Sequence, residues 1–145
     1  MLVQHILASK PVGVQTVSAD ASVSDATQML SKLKIGALIV SDDGGATIRG
    51  ILSERDIVRE VGARGAKALS DTVMDIMTAK VQSCIPADEA VEVLARMTRG
   101  RFRHMPVQGA GGEVLGVISI GDVVKARLGE VENENSALAD MIRGY

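Results

Sequence analysis

A nine-residue pattern occurs twice in this chain of 145 residues. Gly50–Val58 consists of a glycine, two aliphatic residues, Ser-x-x-Asp and two more aliphatic residues, and Gly116–Val124 repeats that order. Each copy predicts a strand that leads into a helix, with the serine at the N-cap. We therefore expect a duplicated fold with two related clefts, each offering a hydroxyl, a carboxylate and a helix N-terminus. Two ligand sites fit this arrangement better than one active site.

The similarity extends well beyond the nine residues. Segments 3–10 and 73–80 align with each other, and each repeat has about 60 residues, too few to bury a good core alone. The two repeats should therefore pack together as one module. We place the first repeat at 1–66, the second at 67–128 and a helical tail at 129–145. Four apolar positions on one helical face also recur 64 residues later: Val23, Ala26, Leu30 and Leu33 correspond to Ala87, Ala90, Leu94 and Met97.

Charge and composition narrow the class of protein. With 16 basic and 18 acidic residues the net charge is −2, which gives no electrostatic basis for binding a nucleic-acid backbone or an anionic membrane. The longest aliphatic stretch, 37–40, is far too short to span a bilayer. With Cys84 as the single cysteine and no signal-peptide pattern, we expect a cytoplasmic protein.

The apolar content predicts self-association. Hydrophobic residues make up 46% of the chain, yet it has one Phe, one Tyr and no Trp, so the core must be aliphatic. A chain this short can hardly hide so much apolar surface, and we expect a homo-oligomer.

The pattern of apolar residues and turn formers predicts the individual elements. The tail, 130–145, is predicted as a partly amphipathic helix that serves dimerisation or capping, with a frayed end as the alternative. The expected elements of the first repeat are a short leading helix, a strand at 14–17, a helix at 23–34 capped by Ser22, strands at 37–40 and 48–52 joined by a turn at 42–45, and a helix at 54–61 stopped by the glycines of 62–65. Those of the second are a helix at 71–77, a strand at 81–84, a helix at 87–98, a strand at 104–107, a turn at 109–112, a strand at 114–119 and a helix at 120–128.

Catalytic motifs are absent from the sequence. His5, His104 and Cys84 are too few and too scattered for a zinc site. The sequence has no Gly-x-x-x-x-Gly-Lys-Ser/Thr loop and no serine nucleophile elbow. We therefore expect a protein that is not an enzyme and needs no metal or catalytic cofactor.

Taken together, the duplicated motifs resemble a tandem pair of cystathionine-β-synthase (CBS) domains, the Bateman module, over about residues 1–128. Asp75–Thr78 is similar to that family's repeat opening, and Arg103–Val107 is similar to its second strand. The resemblance implies an α/β (α+β) fold of two βαββα repeats related by pseudo-two-fold symmetry, each preceded by a short helix. It also implies a non-catalytic regulatory module that binds AMP, ADP, ATP or NAD and acts on an unknown regulated protein. Together with the excess of apolar residues, it implies a homodimer of two modules face to face.

The resemblance further implies which residues bind the nucleotide. The aspartate of each motif would accept hydrogen bonds from ribose hydroxyls, and the serine and helix N-terminus would lie near phosphate. The copies differ because Gly121 stands where the first copy has Arg55. The expected residues of one cleft are Ser119, Asp122, His104, Met105, Pro106 and Thr16, with phosphate held by His104, Arg103 or Arg101; those of the other are Ser53, Arg55, Asp56, Gly36, Ala37, and Lys80 or Val81.

The sequence leaves several alternatives open. Each Ser-x-x-Asp could do no more than cap its helix. The arginines between 96 and 103 could be solvated surface. The module could be a structural or dimerisation unit without a nucleotide, or an enzyme or nucleic-acid binder that shares the fold.

Overall fold

The computed structural model describes residues 1–144, so Tyr145, the last residue of the expected tail, lies outside the described part. Both copies build similar elements in the same order, which confirms the expected duplication and the short helix before each repeat. A 3₁₀ helix, Gly65–Ser70, joins the copies. The first contains α1 (Val3–Ala8), β1 (Thr16–Val17), α2 (Val23–Leu33), β2 (Ala37–Val40), β3 (Gly50–Ser53) and α3 (Glu54–Arg64); the second contains α4 (Val73–Ile76), α5 (Ala90–Gly100), β4 (His104–Gln108), β5 (Val114–Ser119) and α6 (Ile120–Arg143).

Strand β2 lies at the centre of the first repeat. It pairs in parallel with β1 and antiparallel with β3. Leu38 and Val40 face the core of the first repeat, and Ala37 and Ile39 face the second repeat. Because successive side chains of a strand point to opposite faces, a strand between two cores must be apolar throughout. The run of four buried residues, 37–40, meets that requirement.

The strand expected at 81–84 is wrong. Cys84 makes a single parallel bridge to Val107, flanked by hydrogen bonds from Cys84 N to Pro106 O (3.0 Å) and from Gln108 N to Cys84 O (2.8 Å). In the first repeat the ladder continues because Ile39 N donates to Gln15 O at 3.3 Å. Pro106 occupies the position of Ile39 and has no N–H to donate, so the second ladder ends after one residue.

Three expected helix boundaries are also wrong, and one of them is the start of the helix expected at 87–98, which begins at Ala90. Gly62 does not stop α3, which continues to Arg64, where Gly65 with a φ of 74° ends it. Gly129 does not end α6, and the segments expected as a helix and a separate tail form one helix of 24 residues. A glycine ends a helix by adopting the left-handed conformation, and neither of these two does so.

The leading helix of each repeat packs on the other repeat. Val3 and Ile6 of α1 belong to the core of the second repeat, and Val3 N donates to Asp88 O at 2.9 Å. Val73 and Ile76 of α4 belong to the core of the first repeat, and Val73 N donates to Ala21 O at 2.8 Å. Each half-core is therefore completed by a segment from the other end of the fold.

A third apolar cluster joins the two sheets. Ile39 and Ile51 of the first sheet pack against Val114 of the second. Val114 N also donates to Gly45 O at 2.9 Å, across the boundary between the repeats. The two repeats consequently share buried surface on both sides of β2.

Shortening Leu38, which is fully buried in the core of the first repeat, should destabilise the whole module. We expect Leu38→Ala to lower the free energy of unfolding by about 2–5 kcal/mol, because the change leaves a cavity. Urea denaturation followed by circular dichroism should show one shifted transition, since the exchanged helices couple the halves. Leu115→Ala, at a 43% exposed position, should change it by at most about 0.5 kcal/mol. Separate melting of the first repeat would contradict the coupling.

Candidate functional site

Asp56 lies at the start of α3, directly behind the end of β3. Its Oδ2 accepts hydrogen bonds from Ser53 N (2.9 Å) and Ser53 Oγ (3.1 Å), and Ser53 Oγ accepts from Asp56 N (3.3 Å). Its Oδ1 pairs with Arg59, one helical turn later, at 3.1 Å. The carboxylate therefore caps the helix, yet it offers about four lone-pair positions and three are used. It is 5% exposed and retains acceptor capacity toward a ligand.

A cavity of about 580 Å³ adjoins Asp56. Its size is that of pockets that take small molecules. It has an apolar side formed by Ile51, Val81 and Phe102, and Asp56 is the one carboxylate in its lining. Both repeats contribute to it, since the lining comes from β3 and α3, from 78–82 and from 100–104. The lining contains five cationic side chains: Arg55, Arg59, Lys80, Arg101 and Arg103.

The second copy of the motif has the same cap and a different neighbour. Asp122 Oδ2 accepts from Ser119 N at 2.9 Å, and Ser119 Oγ accepts from Asp122 N at 3.0 Å. Here Lys10, which follows α1, reaches across and donates from Nζ to Asp122 Oδ2 and to Val117 O, both at 2.7 Å. Lys10 aligns with Lys80, so the equivalent lysine is bound to the aspartate in one copy and lines an open cavity in the other.

The contacts of Asp122 set its ionisation. Partial burial opposes the charged form, but the hydrogen bond and charge of Lys10 and the backbone N–H of Ser119 outweigh it, and the pKa of Asp122 lies below its usual value. Asp122 is therefore an anion at neutral pH with its cation already in place.

A second cavity, of about 800 Å³, lies on the helical side of the module. It is formed by α2 and α3 of the first repeat and by the start of α6. His104 lies between the two cavities and lines both. Burial lowers the pKa of His104, although Glu54 and Asp122 oppose that effect, so its imidazole is neutral at pH 7. A Cβ at Gly36 would lie 3.0 Å from the His104 ring, and the glycine therefore permits this close packing.

The structure groups part of the expected site and separates the rest. Five residues expected around Asp56 line its cavity: Ser53, Arg55, Asp56, Lys80 and Val81. Arg103 and His104, expected in the Asp122 cleft, line both cavities, and Arg101 lines the Asp56 cavity. Gly36 and Ser119 line the larger cavity. Five expected residues line neither cavity. Asp122 is paired with Lys10, and Ala37 is 8% exposed between the sheets. Met105 and Pro106 are buried in β4, and Thr16 lies on β1.

Sequence reasoning missed Arg59 and Phe102. Arg59 follows Asp56 by three residues and so lies on the same helical face, a spacing that could have predicted the pair. Phe102 is the one phenylalanine of the chain and follows Arg101, whose left-handed conformation (φ 58°) ends α5. No sequence pattern predicts that conformation, because an arginine backbone is rarely found in the left-handed region.

Two small α/β repeats, each with a capped aspartate at the start of its last helix, define a class of duplicated modules. The CBS domain family model matches residues 3–63 and 73–129, and the chain belongs to that family. The structure is similar to that of a CBS-domain-containing protein from Agrobacterium tumefaciens, with a TM-score of 0.82 and 42% identity, covering 88% of this chain and 99% of that one. A mitochondrial CBS domain-containing protein from Arabidopsis thaliana is 35% identical over 130 residues, 88% of this chain and 63% of the relative's own length.

Ligands are known for more distant neighbours. A CBS domain pair that is 26% identical was crystallised with 5′-methylthioadenosine and S-adenosyl-L-methionine; the match has a TM-score of 0.77 and covers 90% of this chain and 98% of that one. A CBS domain protein from Pyrobaculum aerophilum was crystallised with AMP, and at 24% identity the likeness shows the fold alone. In the described part of this chain, no helix is both long and apolar enough to cross a membrane. Among the same residues, no cluster of His, Cys, Asp and Glu side chains could hold a metal ion.

Removing the ammonium of Lys10 should raise the pKa of Asp122. Because the pKa of this carboxyl is lowered in the folded state, its stabilising effect is present above the unfolded pKa and is lost as the pH falls through the folded value. In Lys10→Met we expect Asp122 to titrate at higher pH and the free energy of unfolding to depend less on pH in the acid range. NMR titration of the carboxyl carbon and urea denaturation across pH check this. Lys32→Met, at an exposed position of α2, serves as the control; unchanged titration of Asp122 in Lys10→Met would contradict the pairing.

Proposed function

We propose that this chain is a regulatory module that binds an adenosine-containing nucleotide in the Asp56 cavity. The observation that carries the proposal is one buried carboxylate beside five cationic side chains in a cavity of about 580 Å³. Small-molecule ligands of related modules contain adenosine, as the bound AMP and S-adenosyl-L-methionine of the structural neighbours illustrate.

Each part of a nucleotide has a matching chemical group in this cavity. The free acceptor position of Asp56 suits the ribose hydroxyls, which are neutral donors. The backbone N–H groups at the start of α3 and the guanidinium of Arg55 suit phosphate. The adenine ring would lie against the apolar side formed by Ile51, Val81 and Phe102.

The charge of the cavity favours a ligand with more than one phosphate. The chain as a whole carries a net charge of −2, whereas the cavity lining has five cations and one carboxylate. Cations that converge in a cleft repel one another, and an anion relieves that repulsion. We therefore infer that ADP, ATP or a dinucleotide such as NAD binds more tightly than AMP.

The two copies of the motif should bind with unequal affinity. Asp122 lines neither cavity, and the ammonium of Lys10 is hydrogen-bonded to its Oδ2 at 2.7 Å, so a ribose has to compete with that ammonium for the carboxylate. At Asp56 the equivalent lysine, Lys80, lines the cavity and is available to a phosphate. We expect the Asp56 cavity to fill first.

Binding at this cavity can be transmitted because both repeats line it. A ligand that contacts β3 and α3 on one side and 100–104 on the other favours one relative arrangement of the repeats. A regulated protein would then recognise that arrangement. In this proposal the chain signals occupancy and does not transform the nucleotide.

A purely structural module without a ligand is the second candidate. One observation favours it: Ser53, Asp56 and Arg59 already satisfy one another within the cap. A thermal shift assay with adenosine, AMP, ADP, ATP and NAD separates the two candidates, because a ligand at 100 times its Kd stabilises a protein by about 2.7 kcal/mol. An unchanged Tm with every nucleotide would leave the structural role.

Truncating Arg55 should lower the binding affinity of nucleotides in proportion to the number of phosphates that they carry. Loss of a charge-assisted hydrogen bond costs about 1.5–3 kcal/mol, so Arg55→Ala should lower the affinity for ATP by about tenfold or more and leave that for adenosine nearly unchanged. Isothermal titration calorimetry measures both. Arg99→Ala, at a 70% exposed position outside the cavity lining, should leave both unchanged. Equal losses for ATP and adenosine in Arg55→Ala would place the phosphate elsewhere.

Replacing Asp56 should weaken every adenosine ligand. Asp56→Asn keeps one acceptor for the helix cap but removes the charge, so the affinities for adenosine and ATP should both fall by about tenfold. The matched variant Asp122→Asn, with the same cap on the other copy, should reduce the affinity of the first binding event much less. Calorimetry gives both affinities, and circular dichroism confirms that each variant is folded. Full binding by Asp56→Asn would restrict this carboxylate to its capping role.

A further inference from the structure

Helix α6 extends beyond the part of the chain that the family shares. The family model ends at residue 129, whereas α6 continues to Arg143. Along 131–143 every residue is exposed except Ala139, which is half-buried. A helical segment of this length is marginal in water without tertiary contacts. Contacts with another molecule would therefore add to the stability of this segment.

The large exposed apolar residues of this helix, apart from Met141, form one stripe. Asn135 occupies the position in the middle where the spacing leaves a gap. With Asn135 included, successive positions of the stripe are four and three residues apart in strict alternation, which is the heptad spacing of positions a and d in a coiled coil. The exposed apolar residues of the stripe are Val124 (43%), Leu128 (58%), Val131 (38%), Leu138 (57%) and Ile142 (86%).

Asn135 identifies the partner. In this register Leu128, Asn135 and Ile142 occupy position a, and Val124, Val131 and Leu138 occupy position d. In a parallel, in-register pair of identical helices each a residue faces its own copy, so the two Asn135 amides can hydrogen-bond to each other. In an antiparallel pair an a residue faces a d residue, and Asn135 would be buried against an aliphatic side chain. The polar position thus selects a parallel pair of the same helix.

The flanking charges agree with that pairing. Arg127 occupies position g and Glu132 occupies the position e that follows it by five residues, the two positions that meet between parallel helices. Within one chain Arg127 pairs with Glu130 at 2.7 Å on an exposed surface, where such a pair contributes little stability. Arg127 can therefore turn to the partner's glutamate at small cost.

We propose that the stripe from Val124 to Ile142 is an interface with a second copy of this chain, in which the two α6 helices form a short parallel coiled coil. The proposal rests on the heptad spacing, on Asn135 and on the charge pair. It is independent of nucleotide binding, and it specifies the surface and the orientation that an excess of apolar residues alone leaves open.

Cysteine crosslinking of the full chain tests the register. In Asn135→Cys the two thiols face each other across the interface, and mild oxidation should give a disulfide-linked dimer on non-reducing gels. Ala137→Cys, an exposed position on the outer side of the same helix, is the matched control and should remain largely uncrosslinked. The native Cys84 should not interfere, because it is 2% exposed and burial raises the pKa of its thiol to about 11. Absence of crosslinking at 135, or equal crosslinking at both positions, would overturn the proposal.

The energetic contribution of the stripe can be measured separately. We expect Leu138→Glu to raise the Kd of self-association by about tenfold or more in analytical ultracentrifugation, because it buries a charge at position d. Ala137→Glu adds the same charge on the outer face and should leave self-association unchanged. Equal association of both variants and the parent chain would contradict a coiled coil at this stripe. Nucleotide affinity should not change in Leu138→Glu, which distinguishes this interface from the Asp56 cavity.

Discussion

The exchange of leading helices between the two repeats is the constraint on which the rest of the structure depends. Each repeat has about 60 residues and completes its core with a helix of the other copy, Val3 and Ile6 in one direction and Val73 and Ile76 in the other. This crossing also positions the sites, because the residues that follow α1 and α4 must run past the partner repeat. Lys10 reaches Asp122 and Lys80 reaches the Asp56 cavity for that reason. Stability and site geometry therefore have a common origin.

In each motif one carboxylate has a structural and a proposed functional task. Asp56 and Asp122 both accept the backbone N–H of their N-cap serine, which keeps the first turn of each helix in place. A carboxylate that is held by backbone donors needs little reorganisation when a ligand arrives, since its position is already fixed. The difference between the copies lies in the cation nearby, which is an exposed arginine on the same helix for Asp56 and a lysine from the other repeat for Asp122.

The sequence predicted those parts of the fold that follow from local periodicity. The strand at 37–40, the Ser-x-x-Asp caps and most helices depend on neighbours within a few residues, and such patterns are visible in the chain. Features that depend on distant pairing were missed. The strand expected at 81–84 does not form because Pro106 has no N–H to donate. Arg103 lines the Asp56 cavity, two residues after Arg101, whose left-handed conformation turns the chain. Lys10 and Asp122 are separated by most of the chain, and no spacing rule predicts the hydrogen bond between them.

Helix α6 begins at the Ser119 cap and reaches Arg143 without a break. With a rise of about 1.5 Å per residue, its 24 residues form a rod of about 36 Å. A tilt of about 5° at the anchored first turn would displace the distal end of such a rod by about 3 Å. The length of the helix would thus enlarge a very small displacement beside Lys10 to about the diameter of an atom at the far tip.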